Sequence, residues 1–259
     1  MDSCCKHLFQ FRESSLICLT ETWLQEAVPD TSVELEEFYL LRSDRTIGSG
    51  KSKGGGLALY INKQYCHINN VTVKKKICTP DIELLCVSLR PYYLPREFTQ
   101  IHMTLVYIPP SANTDTAISQ LLDTTHEQES TSPDSVRLVL RDLNHVSLDQ
   151  SLPTYSQYVS CPTRLEKTLD ICYGNIKAAY VSHSLFPLGE SDHTMIHLTP
   201  RYKPVLKLSK PEIKSIHIWS DEAVESLQNC LEQTDWNVFI NNCPDRATNR
   251  YCELIHYLF

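Results

Sequence analysis

Residues 136–145 read VRLVLRDLNH: an apolar run from Val136 to Leu140 is followed by Asp142 and, two residues on, Asn144. A short apolar run bounded by polar residues is a strand, and in a strand residues i and i+2 project to one face. Both side chains are therefore expected to reach the same point at the rim of a sheet, where rigid scaffolds present ligand sites. The arrangement recurs along the chain. LICLTETWL (16–24) carries Glu21 out of an apolar strand, TLDICY (168–173) holds Asp170 among Leu169, Ile171 and Cys172, and GESDHTMIHL (189–198) loads Ser191, Asp192 and His193 onto the mouth of another. Each stretch alone has a plain reading: Glu21 marks a strand end, and Ser-Asp-His is a polar turn. Asp170 is harder to dismiss, because an acid inside an apolar strand is costly unless it is paired.

Seven stretches alternate or run apolar between turn signals: Leu16–Thr20, Gly56–Ile61, Ile82–Leu89, Met103–Ile108, Val136–Leu140, Thr168–Tyr173 and Thr194–Leu198. Between Ile108 and Val136 the chain opens on a proline pair and Asn/Thr/Asp cap candidates, then places Ile118, Leu121 and Leu122 at helical spacing. Many strands with few helices predict packed sheets flanked by helices, since a doubly wound sheet would follow nearly every strand with a helix. After Pro200 the periodicity fades, which predicts a boundary near residue 205. Beyond it Ser220 is placed to cap a helix whose Ala223, Val224, Leu227, Cys230 and Leu231 share one face. The apolar ending ELIHYLF reads as cut from something longer.

Composition narrows the function. With 259 residues, 42% of them hydrophobic, the chain has material for a substantial core, and its net charge of −7 provides no global positive field to draw it onto nucleic acid. Any such contact must be local. The eleven cysteines show no paired CxxC spacing, and the start MDSCCKHLFQF lacks the apolar core of a signal peptide, so they read as reduced thiols of an intracellular protein. No run of eighteen apolar residues is present, which excludes a helical membrane span. GSGKSKGGG (48–56) ends like a phosphate-binding loop, yet Arg45 stands where that loop needs its first glycine and no apolar strand precedes it. It reads as a basic loop in which Arg42, Arg45, Lys51 and Lys53 are placed to touch a phosphate backbone, a role that needs charge and no fixed motif.

Together the strand-end residues form an inventory for metal-assisted phosphodiester hydrolysis. Glu21 and Asp192 supply hard oxygens suited to Mg²⁺. Asp142 takes a proton from the attacking water, Asn144 orients that water or a phosphate oxygen, and His193 donates to the scissile phosphate with Asp170 fixing its tautomer. Tyr107, ending TLVYIPP, is either a phenolic contact to phosphate or a strand-end aromatic in the core.

The ordered set TETW, VYIPP, D-L-N, LDICY and SDH resembles the endonuclease/exonuclease/phosphatase superfamily, and within it the apurinic-type endonuclease domain of non-LTR (LINE-type) retrotransposons. The resemblance covers about residues 10–200. It implies an α/β fold, a four-layered sandwich of two packed mixed sheets as in deoxyribonuclease, with Mg²⁺ or Mn²⁺ as cofactor, DNA as partner and nuclear localisation. It also implies roles for Glu21 at the metal, for Asp192 on the metal or phosphate side, for Tyr107 at phosphate, and for Asp142, Asn144, Asp170 and His193 in catalysis. Residues 1–205 are then the endonuclease-like domain, and 206–259 a spacer that normally leads to a reverse transcriptase, absent here. Two departures stand out: Arg141 and Leu143 replace the family's Gly and Phe around Asp142, and no Asn-bearing strand precedes FRESSLICLTETW, so the first core strand is expected to be lacking. Two rival readings follow: another phosphoester hydrolase of the same fold, whose loops set the substrate, or a remnant of the domain without turnover.

Overall fold

Buried apolar runs and alternating stretches set the architecture, because each strand must hide at least one face. The structure is a computed structural model that describes residues 11–51, 53–142, 148–204 and 219–238; Asn144 and the side chain of Arg141 lie outside the described residues. Strands β1 (Leu16–Thr20), β2 (Phe38–Ser43) and β3 (Leu57–Asn62) form a three-stranded sheet in the order β1-β3-β2. Strands β4 (Val71–Cys78), β5 (Glu83–Leu89), β6 (Ile101–Tyr107), β7 (Val136–Asp142), β8 (Ser156–Gln157) and β9 (Asp170–Gly174) form a six-stranded sheet in the order β4-β5-β6-β7-β9-β8. A hairpin of β10 (Tyr180–Leu185) and β11 (Met195–Pro200) completes the strands. All pairings are antiparallel except β6 with β7, and that parallel step is bridged by helix α1 (Thr114–Thr131). A parallel neighbour requires such a crossover.

The six-stranded sheet is the middle layer. One face sends Leu85, Val87, Leu105, Leu138 and Cys172 into a core shared with Leu57, Leu59 and Ile61 of β3. The other face sends Leu84, Cys86, Val106, Val139 and Tyr173 against Ala117 and Leu121 of α1. On the far side of the three-stranded sheet, Ile17, Phe38, Ala58 and Tyr60 pack with Phe11. This is the expected α/β sandwich of two packed sheets. Each fully buried leucine in it is worth about 1.5–3 kcal/mol relative to an exposed one.

One feature of the three-stranded sheet bears on the site. β1 pairs only with β3 and β11 only with β10, so among the described residues each keeps a free edge, and the half-buried Leu16 and Cys18 of β1 and Ile196 and Leu198 of β11 pack against the shared core.

Strands β2, β4, β8 and β10 were not among the expected ones. β4 hid because Lys74, Lys75 and Lys76 mask its pattern; it is the outermost strand of its sheet, where lysines keep other edges from pairing, and a bulge falls between Val73 and Lys75. The α1 cap is as expected, the Asn113 side chain accepting from Thr116 N at 3.1 Å. The chain divides into a unit of residues 1–206 and one of 207–259. The second holds helix α2 (Asp221–Gln233), where Ser220 Oγ accepts from Ala223 N at 3.2 Å. Among the described residues no helix is long and apolar enough to cross a membrane.

Candidate active site

The register of the six-stranded sheet sets four polar residues side by side: Glu83 opposite Tyr107, Tyr107 beside Asp142, and Asp142 opposite Asp170. Directly paired residues share a face. This row sits at the ends of its strands on the face turned toward the three-stranded sheet, so it lies at one rim of the sandwich, between the layers.

Asp142 is buried, 9% exposed, and among the described residues its Oδ1 has no hydrogen-bond partner. Burial first, and then the Asp170 carboxylate across the strand pair, push its carboxyl up to about 6. Asp170 is half-buried and aims Oδ2 at His193 Nδ1, 2.7 Å away. His193 is held by its backbone as well, its N–H donating to Ser191 Oγ at 3.1 Å. The Ser-Asp-His turn is therefore tied to the strand that carries the costly acid. One donor atom from each of Asp142, Asp170 and His193 lies within 4.8 Å of the others.

Glu21 reaches the same place from β1. Its carboxylate is close enough to act on both Tyr107 and Asp142: burial first, and then that carboxylate, raise the Tyr107 phenol above its ordinary value. The turn after β1 is backbone-strained, with Glu21 at φ 51° and Trp23 at φ 55°, a left-handed conformation that non-glycine residues adopt only when their surroundings impose it. Thr22 N donates to Gly56 O at 3.2 Å and Trp23 N to Gly55 O at 2.9 Å.

Asp192 faces outward. Its Oδ2 pairs with Arg164 at 2.5 Å and its Oδ1 stands 3.9 Å from His193 Nε2, so the compact donor set centres on Asp142 rather than on Glu21 with Asp192. The basic loop differs more from expectation. Arg42 binds Asp44 and, at 2.9 Å, Asp30, and it also donates to the carbonyls of Val28 and Gln25 at 2.7 Å each; Arg45 is paired with Glu83, its side chain 8% exposed. Neither is a free surface cation, because a buried guanidinium matched by carboxylates has no charge left over for a phosphate backbone. Lys53 is exposed and Lys51 donates to Ser111 Oγ at 2.8 Å.

Two residues of the site were not read from the sequence. Glu83 carries the same signal that exposed Asp170, an acid in an apolar strand, and was findable on that ground. Thr163 carries none: fully buried, its Oγ1 accepts from Leu169 N (2.8 Å) and Asp170 N (3.0 Å) while its main-chain carbonyl accepts from Thr194 N (2.7 Å), so one residue ties down the segments that carry both Asp170 and His193.

No protein-family model matches the chain, and no curated protein does. Among solved structures, the chain is similar to the endonuclease domain of TRAS1, a telomere-specific non-LTR retrotransposon, at TM-score 0.50 and 15% identity over 74% of this chain and 88% of that one. It is similar also to an endonuclease/exonuclease/phosphatase family protein from Leptotrichia buccalis C-1013-b, at TM-score 0.51 and 11% identity over 77% of this chain and 92% of that one. The chain therefore has the endonuclease/exonuclease/phosphatase fold.

Proposed function

We propose that the chain hydrolyses DNA phosphodiesters with a divalent cation, as the endonuclease part of a retroelement protein. The observation that carries this reading is the convergence of Asp142, Asp170 and His193 with Glu21 and Tyr107 at one rim of the sandwich. The similarity to the TRAS1 endonuclease domain supports DNA as the substrate.

The residues present fit a hard dication. The buried Asp142 carboxylate feels both Asp170 and Glu21, and among the described residues its Oδ1 has no hydrogen-bond partner; like charges so close call for a cation. Glu21 and the free oxygen of Asp142 are the groups that would hold Mg²⁺ or Mn²⁺, with Asp192 on the far side of His193. A dication there supplies charge neutralisation at the phosphate and the leaving oxygen. Asp142 takes the proton of the attacking water through the oxygen that does not face the cation. Asp170 accepts from His193 Nδ1, which leaves Nε2 as the nitrogen that donates to the scissile phosphate when protonated. Lys51 and Lys53 supply phosphate contacts, and residues 206–259 serve as a spacer toward a reverse transcriptase, with the nucleus as the place of action.

Among the described residues β1, the strand that leads to Glu21, pairs with β3 alone, which favours a second reading: a copy of the domain that keeps the cleft and has lost turnover. Substrate class is tested by offering duplex DNA and p-nitrophenyl phosphate separately with Mg²⁺ or Mn²⁺. Cleavage of the diester and none of the monoester is expected. Preference for the monoester would move the chain to the phosphatases of this fold.

A further inference from the structure

Glu83 opens β5 inside IELLCVSL and is 2% exposed, on the same row as Tyr107, Asp142 and Asp170. Its carboxylate is shared. One oxygen pairs with Arg45 Nε, and the other accepts from Gly56 N at 2.6 Å. Arg45 in turn donates from Nη1 to Lys53 O at 2.5 Å, and its guanidinium lies 5.7 Å from the centre of the Tyr107 ring. Gly55 (φ 73°) lies flat on that guanidinium, where a Cβ would collide with it; a Cβ at Gly56 (φ 87°) would come within 2.6 Å of Thr22 Oγ1. The carbonyls of these two glycines accept the amides of Trp23 and Thr22, the residues that follow Glu21 through its strained turn. An unbroken path of contacts thus runs from β5 through Glu83, Arg45 and the glycine strap to Thr22 and Trp23, the residues next to Glu21, and Arg45 also lies over the ring of Tyr107, on which the Glu21 carboxylate acts.

We infer that the buried Arg45–Glu83 pair is a positioning device: it seats the glycine strap of residues 54–56, and the strap holds Glu21 against Tyr107 and Asp142. Stability alone does not explain the pair, since burying two charges is repaid little or not at all relative to apolar residues of the same size. Geometric specificity does: a carboxylate that must meet a cation needs its backbone fixed, and a left-handed turn at two non-glycine residues stays put only when its neighbours over-determine it. The role assigned to Glu21 rests on the metal-dependent reading above; the mechanical role of the pair does not.

Amide hydrogen exchange of Thr22 and Trp23 in the metal-free protein separates the two. In the wild type both amides should be protected to a degree comparable with β3. Exchange at unstructured rates there would overturn the inference without any variant. Glu83→Gln and Arg45→Met should speed exchange of these two amides at least about tenfold while β6 amides keep their protection, with Arg45→Lys recovering part of it. Unchanged Thr22 and Trp23 exchange in a folded Glu83→Gln or Arg45→Met protein would also overturn it. Val87→Ala, in the core of the same strand but away from the strap, should lower Tm and leave the two amides alone. Mn²⁺ titration is the second readout: weakening by about ten- to a hundredfold, the range seen when support of a metal ligand is removed, is expected for Arg45→Met and not for Val87→Ala. A wild type that binds no Mn²⁺ would sink the metal-dependent reading and leave the exchange result to decide the positioning role.

Discussion

Asp142 concentrates the electrostatics of the site in one side chain. It is buried, faces Asp170 across a strand pair and carries a carboxyl pushed up to about 6, from 3.8 in an unperturbed chain. The folded protein thus holds this proton more tightly than the unfolded chain does. The stabilisation it brings is complete below the unfolded value and is lost as pH rises through the folded one. Asp142→Asn, which removes the charge, is therefore expected to be more stable than the wild type at pH 8 by on the order of 2 kcal/mol, with the gain vanishing near pH 4. Urea unfolding of both proteins in chelator measures this; an equal difference at the two pH values would remove the buried-charge account. A second substitution tests the pair beside it: Asp170→Asn should cost roughly a hundredfold or more in hydrolysis, through a misdirected imidazole, with little change in Tm. A large fall in Tm and no change in rate per folded molecule would make Asp170 a structural residue. Acids at strand ends and within apolar strands were legible because they break a local pattern. Arg42 and Arg45 were not, since a cation in a polar loop looks solvent-facing until distant partners such as Asp30 or Glu83 are brought to it.

β1 brings Glu21 to the cleft, yet among the described residues its ladder runs on one side only. A strand held by one neighbour is less protected and less exact than a central one, and misplacement of a catalytic group by about 1 Å can cost on the order of a hundredfold in rate. Fusing an extended, alternating apolar strand ahead of residue 11 is expected to slow amide exchange across Leu16–Thr20 and to raise the hydrolysis rate. Faster hydrolysis with no added protection in β1 would mean the graft acts elsewhere. At this scale the sequence was readable where burial is two-sided: β3 and β5 are buried along their whole length and their apolar runs announce them. It was unreadable where one face is wet or charged, as in the lysine-rich β4 and in β10, whose Ser182, His183 and Ser184 break any alternation.

For the molecule as a whole, stacking the sheets is what turns scattered residues into a site. Glu21 comes from one sheet, Tyr107, Asp142 and Asp170 from the other, and His193 from the turn ahead of β11. Local pattern told which residues stand at strand ends; it did not tell which ends meet, because that depends on register and layer order set by long-range packing. Asp192 illustrates the gap, adjacent to His193 in sequence but turned to Arg164 in space. The most direct test of the whole arrangement is nicking of supercoiled plasmid by the intact chain with Mg²⁺, with chelator, and by Asp142→Asn. Open circles that form with Mg²⁺, stop with chelator and fall at least about a hundredfold in the variant are expected. Absence of nicking with either Mg²⁺ or Mn²⁺, or nicking that survives chelator or the loss of Asp142, would contradict a metal-dependent endonuclease centred on that carboxylate.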